Sequence, residues 1–185
     1  SSGGDVYVWS AGGTATYSDL KFYSGSAINS GSGDITIIAD EISNVAPCAI
    51  TTTGHFTWEP NTTTGWATTY INRLDVDGNY SGANYTGVVD FDDFQFINFS
   101  SFGGFTLGNT TQTCGIYLYD DISVNGPVEI LGHYAVIGND ITAAGDILID
   151  ADLGSQISYN GIGVNILGTA QISTTSNGSI TVLGR

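Results

Sequence analysis

The residues best suited to chemistry in this sequence are its carboxylates. Asp90, Asp92 and Asp93, the pair Asp120 and Asp121, and Glu59 close in sequence to Trp58 and Trp66 supply acids near aromatic rings. Two positioned carboxyl groups are what glycoside hydrolysis requires, one to protonate the leaving oxygen and one to attack or to activate water. A polysaccharide lyase generally needs a basic group as well, and the chain holds only 3 Lys and Arg, namely Lys21, Arg73 and Arg185. Gly-x-Ser-x-Gly elbows, phosphate-binding glycine loops and His-Glu-x-x-His spacings are absent from the sequence. Acids with neither a base nor a second catalytic motif describe a solvated surface more simply than an active site. The expectation is a protein that is not an enzyme, with polysaccharide cleavage ranked as a third alternative.

Oxygen ligands raise a different possibility. Asp75-Val76-Asp77-Gly78-Asn79 sets two carboxylates and an amide on alternate residues around a turn, an arrangement that suits a hard cation. Asp75, Asp77 and Asn79 are therefore the expected ligands of a structural Ca2+, against the plainer reading of a turn with exposed acids. Asp120-Asp121 and Asp90 to Asp93 share that reading more weakly, and no other cofactor is expected. His55 and His133 lie far apart and read as solvated or core-edge side chains. Cys48 and Cys114 match no zinc spacing; an intrachain disulfide, a bridge between molecules and two buried thiols all remain open. The aromatics Trp58, Trp66, Tyr70, Tyr80, Tyr85, Phe91, Phe94, Phe96, Phe99, Phe102 and Phe105 read as core packing first and as a sugar-stacking surface or a subunit interface second.

Composition constrains the elements that must hold these residues. The 185 residues are enough for one domain with its own core, and 26 glycines among many Ser, Thr, Asn, Ile and Val favour strands and turns over helices. Eighteen acidic residues against three basic ones give a net charge of −15, which argues against nucleic acid and against anionic lipid surfaces as partners. A hydrophobic content of 41% supplies apolar surface for a folded chain. No apolar run approaches the roughly 18 to 20 residues that cross a bilayer, so membrane insertion is not expected. An export signal is expected to have been removed or to lie outside this stretch.

The strongest internal signal is a short strand introduced by Gly-Asp. It occurs at Gly4-Asp5-Val6-Tyr7-Val8-Trp9, at Gly33-Asp34-Ile35-Thr36-Ile37-Ile38-Ala39-Asp40, at Gly145-Asp146-Ile147-Leu148-Ile149-Asp150-Ala151-Asp152, and in weaker form at Gly178-Ser179-Ile180-Thr181-Val182. Apolar residues alternate within each copy, as on strands with one buried face. Near each end, successive copies stand about thirty residues apart, a period of stacked repeats. Further short strands lie between them, including Ala27 to Asn29, Val128 to Leu131, Tyr134 to Ile137 and Val164 to Leu167. Several strands per repeat with Gly, Asn and Ser corners predict an all-β β-solenoid occupying residues 1–185 as one domain. Its middle, about residues 55–105, is aromatic-rich and reads as wider coils or an inserted section.

Ser32 to Ile42, Ile50 to Pro60 (ITTTGHFTWEP), Phe105 to Gly108 and Asn139 to Ile147, taken in this order, resemble the repeat regions of the filamentous haemagglutinin family. These are large exported bacterial adhesins with glycine-rich shafts. The resemblance implies a right-handed parallel β-helix, an extracellular or cell-surface location, and a mechanical or adhesive role without catalysis. The cysteines and the aromatic middle depart from that family's pattern.

Stacked repeats end in strands whose edges lack a partner, and no polar cap is evident at either end. Residues Asp5, Val6, Tyr7, Val8 and Trp9 at one end and Ile180, Thr181, Val182 and Leu183 at the other are the expected assembly interface. Joined end to start, they read as an uninterrupted run of the same repeat. The expected partner is therefore another copy of the chain, as a separate subunit or as a tandem repeat in one polypeptide. Surface glycans are the expected partner under the alternative reading, a carbohydrate-binding adhesive domain.

Overall fold

The computed structural model describes residues 3–10, 19–23, 25–39, 41–44, 49–59, 61, 73–76, 88–90, 99–111, 115–118, 121–151 and 163–184. Among them the alternating runs are short strands, and helix is limited to a 3₁₀ turn at Phe99–Ser101. Every described strand pairing is parallel. The all-β class predicted from composition is therefore what the chain adopts.

Seven strands form one long sheet in strict chain order: β1 (Val6–Trp9), β4 (Ile35–Ile38), β7 (His55–Glu59), β10 (Gly104–Gly108), β13 (Val128–Leu131), β16 (Ile147–Ala151) and β19 (Ile180–Gly184). A second sheet runs in the order β17 (Val164–Ile166), β14 (Tyr134–Ile137), β11 (Gly115–Leu118), β8 (Arg73–Val76) and β9 (Val88–Asp90). A third joins β12 (Ile122–Val124), β15 (Ile141–Ala143) and β18 (Ile172–Thr174). Two smaller pairs link β2 (Asp19–Phe22) with β5 (Glu41–Asn44) and β3 (Ala27–Asn29) with β6 (Ala49–Thr51). From β10 onward the chain visits the three larger sheets in turn and rejoins the long one a single strand further along.

Register turns this order into a core. Along the long sheet Val6, Ile35, Phe56, Phe105, Val128, Ile147 and Ile180 fall in one column, and Val8, Ile37, Trp58, Leu107, Ile130, Ile149 and Val182 in the next but one. Every one of these positions is apolar, and those from β4 to β16 are buried. Each such aliphatic side chain removed from water contributes about 1.5–3 kcal/mol, so the columns hold the sheet against the other strands. The Gly-Asp copies near the ends are single steps of this sheet, 29 residues from Asp5 to Asp34 and 33 from Asp146 to Ser179. Interior steps are unequal: 21 residues separate Asp34 from His55, and 23 separate Thr106 from Glu129.

The longest step joins β7 to its neighbour β10 and contains both β8 and β9, within the stretch read as wider or inserted. Its exit is anchored by an aromatic cluster, with Phe102 at 4.9 Å from Phe56, and Phe99 at 5.2 Å from Phe105, between ring centroids. These rings are buried, so the packing role predicted for Trp58, Phe99, Phe102 and Phe105 is the one they have.

At the corner leading into the long sheet, one glycine per step stacks on the step before it. A Cβ on Gly33 would sit 2.5 Å from Gly4 C, and one on Gly54 would sit 2.6 Å from Gly33 O. On Gly103 it would overlap Thr53 O, on Gly126 Gly103 O, and on Gly178 Gly145 O. Where a Gly-Asp copy rests on an earlier step, as at Gly33 and Gly145, its glycine is thus required by backbone approaching backbone, not by an unusual torsion.

Candidate functional site

Because side chains alternate along a strand, the residues between the buried columns face outward on the long sheet. The column at the strand entrances runs through Asp5, Asp34, His55, Asp146 and Ser179, and its acids act between neighbouring strands. Asp5 Oδ1 accepts the Asp34 N–H at 2.9 Å, Asp34 Oδ1 accepts the His55 N–H at 2.8 Å, and Asp146 Oδ1 accepts the Ser179 N–H at 2.7 Å. The third sheet repeats the device: Asp121 Oδ1 accepts the Asp140 N–H at 3.1 Å, and Asp140 Oδ1 the Gln171 N–H at 2.8 Å. The aspartate of each Gly-Asp copy is therefore a staple that meets a corner amide before the regular ladder begins. Sequence reasoning missed this role, although the recurrence of Asp directly before each apolar run was its signal.

Asp146 also receives the Ser179 hydroxyl at 2.9 Å. The backbone donor first, and the hydroxyl second, hold its carboxyl below the usual carboxylate range. A pKa lower in the folded than in the unfolded chain stabilises fully above the unfolded value of about 3.9 and loses that effect as pH falls through it toward the folded value. Asp146→Asn keeps an acceptor oxygen but cannot titrate. It is expected to melt earlier than wild type at pH 7, with the gap narrowing between about pH 5 and 3 as the wild-type carboxylate protonates. Thermal melts across that range check this; a constant gap would show that the charge plays no part.

Further along the outward face, Thr106 Oγ1 donates to Glu129 Oε2 at 3.1 Å and lies 2.8 Å from His55 Nε2. A hydroxyl has one proton, and the carboxylate takes it, so His55 carries its proton on Nε2 and donates to Thr106. The chain Glu129, Thr106, His55 crosses three adjacent strands and fixes the ring. The core-edge reading of His55 fits this half-buried position, and His133 is buried.

Of the acids singled out for glycan chemistry, Glu59 belongs to the long sheet and Asp121 lies at the entrance of β12 in the third sheet. Glu59 lies on the outward face and accepts from Asn109 Nδ2 at 3.1 Å, whereas Trp58, the neighbouring residue, points inward and is fully buried. That aromatic ring cannot stack a sugar above Glu59. Asp121 is a staple, Asp90 lies in β9 in register with Asp75, and Asp92, Asp93 and Asp120 fall outside the described residues.

The expected Ca2+ ligands are only partly in view. Asp75 is a residue of β8, in register with Tyr117, so strand continues into the stretch read as a turn; Asp77 and Asn79 lie outside the described residues. No group of three or more His, Cys, Asp or Glu suited to a metal occurs among the described residues. Cys48 and Cys114 also lie outside them, immediately before β6 and β11, which belong to different sheets. Trp66, Tyr70, Tyr80, Tyr85, Phe91, Phe94 and Phe96 lie outside them as well. No helix among the described residues is long and apolar enough to cross a membrane.

The residues expected at an assembly interface occupy the two outer strands of the long sheet. Asp5 immediately precedes β1, whose residues are Val6, Tyr7, Val8 and Trp9, and β19 contains Ile180, Thr181, Val182 and Leu183. Tyr7 and Trp9 are 65% and 60% exposed, and the indole N–H of Trp9 donates to Asn61 Oδ1 at 2.9 Å. Asn61 in turn donates from Nδ2 to Ser10 O at 2.9 Å, which ties the exposed ring across the sheet. Ile180 and Val182, although they continue the buried columns, are 46% and 44% exposed. No protein-family model, curated protein or solved structure matches this chain.

Proposed function

We propose that this chain is a structural segment of an extracellular fibre, a right-handed β-solenoid resembling the shafts of filamentous haemagglutinin-like bacterial adhesins, that assembles end to end with copies of itself. The observation that carries the reading is the order of the long sheet, in which every third strand follows the last without exception from β1 to β13 and on to β19. Parallel strands joined by crossovers of one hand wind the chain about an axis, and each turn buries its apolar face only against its neighbours. Such a stack resists pulling and proteolysis through its ladders, and a net charge of −15 keeps its sides apart and hydrated. The cell-surface setting and the absence of catalysis rest on the family resemblance and on the scarcity of bases.

A carbohydrate-binding role is the second reading, favoured by the exposure of Tyr7 and Trp9 on β1 and of Tyr23 just after β2. A glycan-array signal that Trp9→Ala abolishes would move it ahead.

Electron microscopy of the purified chain tests the leading reading. Unbranched filaments of uniform width, growing longer with protein concentration, are expected. A monodisperse monomer that persists at high concentration would sink the assembly claim.

A further inference from the structure

We propose that the outer edge of β19 takes β1 of a second copy of this chain in one fixed register, Val6 on Ile180, Tyr7 on Thr181, Val8 on Val182 and Trp9 on Leu183. The proposal rests on the end-to-end reading above and specifies its contact.

The direction of the backbone groups carries it. Within the long sheet, the inward residues bond toward the later strand: Val6 N–H donates to Asp34 O at 2.8 Å, Phe105 N–H to Pro127 O at 2.9 Å, Val128 N–H to Asp146 O at 2.9 Å and Ile147 N–H to Ser179 O at 2.8 Å. Backbone groups alternate sides along a strand. Val6 and Val8 therefore turn toward β4, while Tyr7 and Trp9 direct their N–H and C=O away from it. On β19, Ser179 and Thr181 turn toward β16, while Ile180, Val182 and Gly184 point outward. Among the described residues no strand pairs with either outer edge. One edge thus offers inward-type groups and the other outward-type groups, which is the pairing found at every internal step. Pairing of like edges would reverse the strands or turn one sheet over, and either breaks the columns.

Side chains agree with this phase. Ile180 and Val182 extend the two buried columns yet are about half exposed, and Ile166 of β17 is 47% exposed. Val6 and Val8 are only half-buried and match these columns position for position. Trp9 reaches away from the outer edge of β1 toward Asn61, which follows β7. Charge permits the approach as well. From Leu153 to Gly184 the sequence contains no charged residue, so the β19 end escapes the repulsion that the acidic remainder imposes. A contact between unlike ends does not close on itself and propagates as a filament.

The test is crosslinking of the full chain. Residues paired across parallel strands stand about 4.8 Å apart, within disulfide reach, whereas an offset of two residues adds about 6.6 Å along the strand and exceeds it. The double variant Tyr7→Cys with Thr181→Cys, mildly oxidised, is expected to give a ladder of covalent multimers on a non-reducing gel. Tyr7→Cys with Leu183→Cys is expected to give no more than wild type, whose Cys48 and Cys114 set the background. Val182→Asp is expected to raise the concentration needed for assembly at least about tenfold, by more than any loss in the monomer's own melting accounts for. Filaments without the Tyr7/Thr181 ladder, or with a Tyr7/Leu183 ladder instead, overturn this register and leave the assembly reading standing. A wild-type chain that never assembles overturns both.

Discussion

Gly126→Ala is expected to lower stability by at least about 3 kcal/mol, a fall in Tm of roughly 6–12 °C for a chain of this length. The added methyl overlaps the carbonyl oxygen of Gly103 and crowds its carbonyl carbon, and both belong to backbone. A clashing side chain could rotate away; a backbone one step down the stack cannot move without opening the ladder between β10 and β13. The same substitution at Gly4, where a Cβ meets nothing within 4 Å, is expected to change stability by no more than about 0.5 kcal/mol. Both residues are glycines of the same corner, and only the stacking distinguishes them. Parallel thermal melts followed by the emission of buried tryptophan decide the matter, and equal melting of the two variants would show that the column has room to spare.

Trp58→Ala is expected to cost about 3–5 kcal/mol, the range for deleting a large buried aromatic side chain. Trp58 is fully buried between Ile37 and Leu107 in its column, and its indole N–H donates to Ala39 O at 2.9 Å. Alanine there empties the middle of the core and leaves the Ala39 carbonyl without that donor. Trp58→Phe keeps most of the volume and loses the donor, so a smaller cost of about 1–2 kcal/mol is expected. Denaturant titration should rank the three as wild type, Phe, Ala in falling midpoint. A Phe variant as unstable as Ala would mean that the hydrogen bond, not the packing, dominates.

These two residues also show how legible the fold was. The alternation Phe56, Trp58 within His55–Glu59 identifies a strand and a buried face without any structure, because side-chain direction has a period of two whatever the partner. The column into which Trp58 falls was not legible. It depends on β7 pairing with β4 and β10, one of them across the longest step of the sheet, and no local pattern encodes that distance. Glu59 and Trp58 part company for a related reason: neighbours in sequence on a strand lie on opposite faces. The Gly-Asp signal was visible as a repeat but not as chemistry, since its meaning lies in the amide that arrives from the next step.

The sequence alone determined that this chain is built of strands, which of their faces is apolar, and where one glycine per repeat recurs. Backbone sterics and hydrophobic alternation act over a few residues, and a few residues suffice to read them. Only the tertiary structure decided which strand rests on which, that the aspartates join successive steps, and that two apolar columns run unbroken from β1 to β19. Those facts arise from packing between segments separated by about twenty to fifty residues in the chain, where register is set by the match of whole columns and not by any single run of sequence.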